Sequence, residues 1–186
     1  FSDSIMYDAE EGLYYRDAKY VYPKHKSANG KKDFWARGDG WVLAGLAKVL
    51  KDLPKEFKHY DFFVDKYVRM AKAVAAIQQP GGYWTRSMMD PEHAPGPETS
   101  GTAFFTYGLL WGVNNGYLDE ATYMPVIKNA WNYLKKTALQ KDGRVGYVQP
   151  IGEKAIPGQI VDANSTANFG VGAFLLAACE YVRYLE

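Results

Sequence analysis

Apolar and polar positions follow two kinds of helical pattern along this chain. Residues from about 39 to 52, 99 to 115 and 163 to 185 are apolar on nearly every side, which is typical of buried helices. Residues from about 56 to 78 and 119 to 139 have one apolar face, at steps of three and four, and one lysine-rich face. The pattern therefore predicts buried helices that alternate with amphipathic helices.

The segments before the buried helices also repeat. Each places glycine shortly before aromatic residues and continues as a long polar loop: EEGLYYRDAKY, PGGYWTRSMMD and KDGRVGYVQPIG. We interpret Asp39, Ser100 and Ser165 as capping residues at the starts of the buried helices, and they stand 61 and 65 residues apart. This period is longer than the roughly 34 to 47 residues of common helical solenoids. It is typical of helical hairpins around a shared centre, with the long loops on one rim.

The number of predicted helices is too small to close such a ring. Three inner and two outer helices make about half of a six-hairpin toroid. We therefore predict an all-α fold in which residues 1–186 form the C-terminal portion of an (α/α)6 barrel. The expected partner is the missing N-terminal half. The first and last inner helices would expose apolar flanks, which also makes a homodimer an open alternative.

Composition narrows the class of ligand. The 22 basic and 21 acidic residues nearly balance, and we expect neither nucleic acid nor a membrane surface as a partner. Aromatic residues reach 16%, as a sugar-binding cleft or a large core would require. The histidines share no metal-ligand spacing, so no metal or cofactor is expected. The single Cys179 lies in an apolar run and is predicted to be a small buried hydrophobe.

The segment DFWARGDGW carries the most concentrated chemistry. Trp35 and Trp41 flank Arg37 at the predicted mouth of an inner helix. A helix N-terminus and an arginine together can seat a carboxylate, and tryptophan faces can stack on sugar rings. In the alternative interpretation Asp39 caps the helix, Trp41 belongs to the core and Arg37 pairs with a loop carboxylate. The residues alone leave both interpretations open.

Four blocks of the sequence resemble known enzymes. FWARGDGWVLAGLAKVL resembles the W-x-R-G-x-x-W stretch of glycoside hydrolase families 88 and 105. EEGLYYRDAKYVYP, ETSGTAFFTYGLLWGV and NFGVGAFLLAACEY are similar to family 105, the unsaturated rhamnogalacturonyl hydrolases. The resemblance implies an (α/α)6 barrel about twice this length, with no cofactor. These enzymes release 4,5-unsaturated uronic acid from the non-reducing end of pectic or glycosaminoglycan fragments, by protonating C4 and adding water at C5.

The resemblance also implies site residues. Trp35, Arg37 and Trp41 match substrate-contacting positions of the family. The resemblance implies that the family's catalytic aspartate lies farther upstream than this chain reaches. We therefore expect the isolated chain to be inactive. Asp39 is a weak candidate for that role, because relatives have uncharged residues there. Arg16 stands where many relatives place a substrate-contacting histidine.

The remaining interpretations are less specific. Ser100 can bond a sugar hydroxyl or cap its helix, and Arg86 and Gln149 can line subsites or pack the loops. A noncatalytic carbohydrate-binding or scaffold toroid stays open. So does a different toroid enzyme, such as a polysaccharide lyase or an endoglucanase. The compartment is open between the cytoplasm and the periplasm of a bacterium.

Overall fold

The computed structural model describes residues 2–186 as helices joined by long loops. The elements are α1 (Ser2–Met6), β1 (Tyr7–Asp8), β2 (Leu13–Tyr14), α2 (Ala36–Asp52), α3 (Tyr60–Ala76), α4 (Thr99–Asn114), α5 (Glu120–Tyr133), a π-helical turn (Leu134–Ala138) and α6 (Asn168–Leu185). β1 and β2 form a short antiparallel hairpin, which the sequence pattern did not predict. The all-α prediction is otherwise confirmed.

Helix α4 lies at the centre of the fold. It packs against α2 on one side and α6 on the other, while α3 and α5 pack from outside. The contact with α2 is close, because a Cβ on Gly101 would lie 2.8 Å from the carbonyl carbon of Ala36. Nearly every residue of α4 is buried, whereas α3 buries a stripe that includes Tyr67, Met70 and Val74. The predicted alternation of inner and outer helices is therefore confirmed.

The two flanking inner helices keep apolar surface in solvent. On α6, Leu175, Val182 and Leu185 are more than half exposed, and on α2 the side chain of Trp41 is 53% exposed. The predicted apolar flanks are present. Cys179 belongs to the same outward face of α6 and is exposed, so its predicted burial is wrong. The reason is that α6 has an inner neighbour, α4, on one side alone within residues 2–186.

Three predicted helix caps are wrong. Helix α2 begins three residues before Asp39, which lies in its first turn, and the N-cap position belongs to Trp35. Helix α4 is capped by the carboxylate of Glu98 and not by Ser100. Helix α6 begins at Asn168, and Ser165 instead bonds Asp162 in the preceding loop. A buried helix has no polar face to mark its first turn, so a small polar residue just inside it, as Asp39 and Ser100 are, or in the loop before it, as Ser165 is, resembles a cap.

The other boundaries agree better with the pattern. Asp119 caps α5 as predicted, since its carboxylate accepts a hydrogen bond from the Thr122 amide. Helix α3 is shorter than predicted at both ends. No helix within residues 2–186 is long and apolar enough to cross a membrane.

The long loops meet at the N-terminal ends of the inner helices. We call them the first rim loop (residues 15–34), the second rim loop (77–97) and the third rim loop (139–167). The Ala36 amide donates to the carbonyl of Arg86, and the Thr99 amide donates to the carbonyl of Tyr147, at 3.0 and 2.9 Å. The predicted common rim is therefore confirmed, since the second and third rim loops are each hydrogen-bonded to the first residue of the preceding inner helix.

Candidate functional site

Trp35 and Arg37 of the tryptophan-rich motif are buried and bonded to the third rim loop. The indole Nε1 of Trp35 donates to Gln149 Oε1 at 2.8 Å. Arg37 donates to the carbonyls of Gln149 and Pro150, the second at 2.8 Å. Its guanidinium also lies 4.7 Å from the Trp35 ring centre and 4.5 Å from that of Phe169. Arg37 therefore neither pairs with a loop carboxylate nor points into solvent, and it fixes the loop that follows Gln149.

The negative charge that accompanies Arg37 belongs to Glu98. This carboxylate is fully buried and accepts hydrogen bonds from the hydroxyl and amide of Ser100, the Gly101 amide and the Gln149 amide. Burial lowers the pKa of Arg37, and the nearby charge of Glu98 acts in the opposite direction. An arginine at such a site stays protonated. Ser100 is also fully buried, and its hydroxyl donates to Glu98 in this structure.

Gln149 joins these groups. Its side-chain oxygen accepts from Trp35, and its Nε2 donates to the Lys154 carbonyl and to Gln159 Oε1, both at 2.9 Å. The orientation of the amide follows from its partners, because an indole can only donate and a carbonyl can only accept. Its backbone N–H and C=O are bonded to Glu98 and Arg37. We call Trp35, Arg37, Glu98 and Gln149 the rim clamp.

Arg86 extends the rim clamp to the second rim loop. It donates to the carbonyl of Gln159 at 2.7 Å and to that of Pro95 at 2.6 Å, while its buried Nε has no hydrogen-bond partner among residues 2–186. Burial lowers its pKa, against the opposite effect of Glu98. Arg86 thus connects the second and third rim loops by hydrogen bonds, in agreement with the interpretation that it packs the loops.

A cavity of about 320 Å³ opens beside the start of α2, within the usual range for small-molecule sites of roughly 300 to 1,000 Å³. We call it the Arg16 cavity. It is lined by Ser2, Met6, Tyr14, Tyr15, Arg16, Gly38 and Val42. Two tyrosines and one arginine therefore line the same space, and aromatic and cationic groups of this kind can bind an acidic sugar.

Arg16 is held loosely at this cavity. Its side chain is 39% exposed, pairs with the adjacent Asp17 and lies 3.9 Å from Glu153 of the third rim loop. Glu153 is shared with Tyr20, whose pKa is raised to about 12 by burial and by its hydrogen bond to Glu153. Exposed ion pairs of this kind are weak, at about 0 to 1 kcal/mol. An anionic ligand can therefore compete for Arg16 at little cost.

Trp41 and Asp39 lie on α2 in opposite settings. The ring of Trp41 packs on Phe104, with centroids 4.3 Å apart, and leaves its other surface in solvent. Asp39 is fully buried, and its Oδ1 accepts from the Tyr14 amide at 2.8 Å, while Oδ2 has no partner among the described residues. Burial raises the pKa of Asp39 well above its usual range. Asp39 is thus neither a helix cap nor open to substrate in this structure.

Behind the first rim loop lies a second polar cluster. Asp33 accepts from the Ser87 hydroxyl at 2.6 Å and lies 2.8 Å from His25 Nε2. The buried Asp90 accepts from Asn29 at 3.0 Å. Within residues 2–186 no group of three or more His, Cys, Asp and Glu side chains could hold a metal ion. We assign this cluster to fixing the loop.

Sequence reasoning missed the central position of Glu98 and the hub formed by Gln149. An acidic residue directly before T-S-G and a long apolar run was the available signal for Glu98 as a cap. The sequence identifies Gln149 only as a rim residue, because no local pattern shows that its partners Trp35 and Arg37 stand more than one hundred positions away.

The fold and the rim together define a class: half of the α/α toroid found in glycoside hydrolases, with a cavity at the rim that tyrosines and an arginine line. The model of Glycosyl Hydrolase Family 88 matches residues 2–185. The chain therefore belongs to glycosyl hydrolase family 88.

Individual relatives carry two kinds of name. An unsaturated 3S-rhamnoglycuronyl hydrolase of Formosa agariphila is 43% identical over 97% of this chain and 48% of its own length. A solved polysaccharide lyase is 77% identical with a TM-score of 0.95, covering 99% of this chain and 52% of that one. A family 88 glycosyl hydrolase from Bacteroides vulgatus is 68% identical with a TM-score of 0.95, covering 98% and 53%. The chain thus spans about half the length of these relatives.

Proposed function

We propose that this chain is the C-terminal half of a glycoside hydrolase that releases 4,5-unsaturated uronic acid from a rhamnose-containing oligosaccharide. The observation that carries the proposal is the Arg16 cavity, which places a loosely held cation among aromatic rings in a family 88 chain. Pectic rhamnogalacturonan fragments are one such substrate. The name of the Formosa relative favours a second, in which the rhamnose carries a sulfate ester at O3. Both present an acidic group that an arginine can bind.

Each group has a defined task in this proposal. Arg16 binds an anionic group of the sugar, and Trp41 stacks on a ring through its exposed face. The rim clamp holds the third rim loop beside them. A carboxylic acid on the other half of the barrel gives a proton to C4, and water adds its hydroxyl to C5. The resulting hemiketal opens and frees the second sugar, so no anomeric nucleophile is needed.

The other half of the barrel is the proposed partner of the two exposed flanks. Val49 on α2 and Leu175 and Val182 on α6 expose apolar surface where a closed ring would continue. Relatives twice as long supply enough chain to cover both flanks. Light scattering of residues 1–186 tests this proposal. A monodisperse monomer with no tendency to associate would count against apolar flanks that need a partner. A discrete dimer would favour a second copy of this chain as that partner.

A polysaccharide lyase is the second candidate, and the 77% identical lyase favours it. A lyase acts one step earlier on a saturated uronide. A base removes the proton from C5, the bond from C4 to the glycosidic oxygen breaks, and a C4–C5 double bond forms. Arg16 can serve that reaction equally well, since a cation on the carboxylate acidifies the C5 proton.

The direction of the change in ultraviolet absorbance distinguishes the two candidate activities. The conjugated double bond of an unsaturated uronide absorbs, so a hydrolase removes absorbance from lyase-digested pectin or digested 3-O-sulfated rhamnoglycuronan. A lyase instead adds absorbance to the undigested polysaccharides. The full-length protein and residues 1–186 are compared on all four substrates. Full activity in residues 1–186 alone would contradict the half-barrel proposal. Sugar binding without any absorbance change in the full-length protein would indicate a noncatalytic toroid.

A further inference from the structure

Asp39 adjoins two residues that line the Arg16 cavity, Gly38 and Tyr14. One wall of the cavity is the chain from Tyr14 to Arg16, and the other is the start of α2, at Gly38 and Val42. Asp39 follows Gly38 in the chain but does not line the cavity. Asp39 is therefore joined to both walls, through the chain to Gly38 and through a hydrogen bond to Tyr14, without facing the cavity.

A hydrogen bond that the Asp39 side chain accepts connects these two walls. Its Oδ1 accepts from the amide of Tyr14, 25 positions earlier, at 2.8 Å. Tyr14 ends β2, and Arg16 follows two residues later. A shift of the Tyr14 backbone would therefore move Arg16 relative to Gly38 and change the width of the cavity.

Direct contact between Asp39 and a substrate is ruled out by its burial. Its exposed fraction is 0% although half of the expected barrel is absent around it. Additional protein can only bury it further. A group that transfers a proton to substrate must come within hydrogen-bond reach of it or share one water with it.

We propose that Asp39 is a positioning residue, which holds the Tyr14 backbone against α2 and so sets the place of Arg16 in the cavity. Whether the cavity binds a sugar rests on the proposed function, but the tether itself does not. The tether requires one acceptor oxygen and no negative charge. Burial favours the neutral acid, because it raises the pKa of Asp39 well above its usual range. An asparagine offers the same acceptor in the same volume.

Amide hydrogen exchange in residues 1–186 tests the tether without any substrate. In Asp39→Asn we expect the Tyr14 amide to be protected as in the parent. In Asp39→Ala and Asp39→Leu it should exchange about tenfold faster or more, because its acceptor is gone. Asp33→Asn is the matched control, since it alters another buried carboxylate and should leave Tyr14 protected. Unchanged protection in both Asp39→Ala and Asp39→Leu would overturn the proposal.

Steady-state kinetics of the full-length protein test the consequence for Arg16. Asp39→Leu should raise KM about tenfold with kcat within about threefold, and Asp39→Asn should restore both. A loss of kcat by a factor of about one hundred or more in Asp39→Asn, with Tyr14 still protected, would make Asp39 a catalytic acid and overturn the proposal. If the full-length protein turns over neither substrate class, the proposed function fails, and amide exchange still decides whether the tether exists.

Discussion

The two arginines of the rim illustrate two different uses of the same side chain. Arg37 is 4% exposed, lies between two aromatic rings and donates to carbonyls of the third rim loop. The side chain of Arg16 is 39% exposed and pairs with two carboxylates that are themselves at least partly exposed, those of Asp17 and Glu153. A buried arginine whose donors are committed to carbonyls builds the site. An exposed arginine in a weak pair is available to a ligand. Mutations that treat the two regions separately can therefore test this division.

The largest effect is expected at the anionic centre of the rim clamp. Glu98→Ala removes the acceptor of three amides and one hydroxyl and leaves Arg37 without its nearby negative charge. Breaking a buried charged network of this kind costs about 3 to 5 kcal/mol. Chemical denaturation should show a loss of that size. Glu98→Gln keeps an acceptor oxygen and should lose less; a loss below about 1 kcal/mol in Glu98→Ala would contradict the clamp.

A smaller effect is expected at Gln149. Gln149→Leu leaves the Trp35 indole N–H and the Lys154 carbonyl without their partner, at a cost of about 1 to 3 kcal/mol. The third rim loop should also become sensitive to limited proteolysis between residues 150 and 161. Gln140→Leu, at a partly exposed position in the same loop, is the control. Equal protease resistance of the two variants would show that Gln149 does not fix the loop.

The pH dependence of stability should distinguish Asp39 from an ordinary surface carboxylate. Its folded-state pKa is raised above the usual 3.8. The folded protein therefore binds the proton more tightly, and the stability from Asp39 is complete below that usual value and is lost as pH rises toward the folded pKa. The free energy of unfolding of the parent minus that of Asp39→Asn, measured by chemical denaturation, should fall as pH rises from about 4. The limiting slope is about 1.4 kcal/mol per pH unit. A difference that rises with pH would refute the neutral buried acid.

The smallest effect on stability is expected at Arg16. Arg16→Gln removes exposed ion pairs only, so its free energy of unfolding should change by less than about 1 kcal/mol. Its affinity for an acidic sugar should nevertheless fall about tenfold, as for the loss of a charge-assisted contact. Calorimetric titration with a uronate disaccharide measures this. Lys24→Gln, on the exposed part of the same loop, is the control. An equal loss of affinity in Lys24→Gln would show that Arg16 does not bind the sugar specifically.

Local pattern was sufficient for the helices and insufficient for the site. The alternation of buried and amphipathic helices, the cap at Asp119 and the exposed flanks of α2 and α6 all follow from spacing and polarity. The assignment of Asp39 and Ser100 as caps was wrong, because an isolated polar residue near a helix start has the same signature whether it caps the helix or is buried within it. The predicted contacts of Trp35, Arg37, Trp41, Arg16 and Ser100 with substrate stay predictions.

The sequence by itself determined the repeating helical hairpins, the half-ring and the family, since each depends on periodicity or on contiguous motifs. Only the tertiary structure decided which residues of the tryptophan-rich motif are buried. Trp35 and Arg37 meet Gln149 across more than one hundred positions, and Asp39 meets Tyr14 across 25. Such contacts arise where helices and loops from distant segments pack together, and burial then sets whether a charged side chain is a structural anchor or a ligand-binding group.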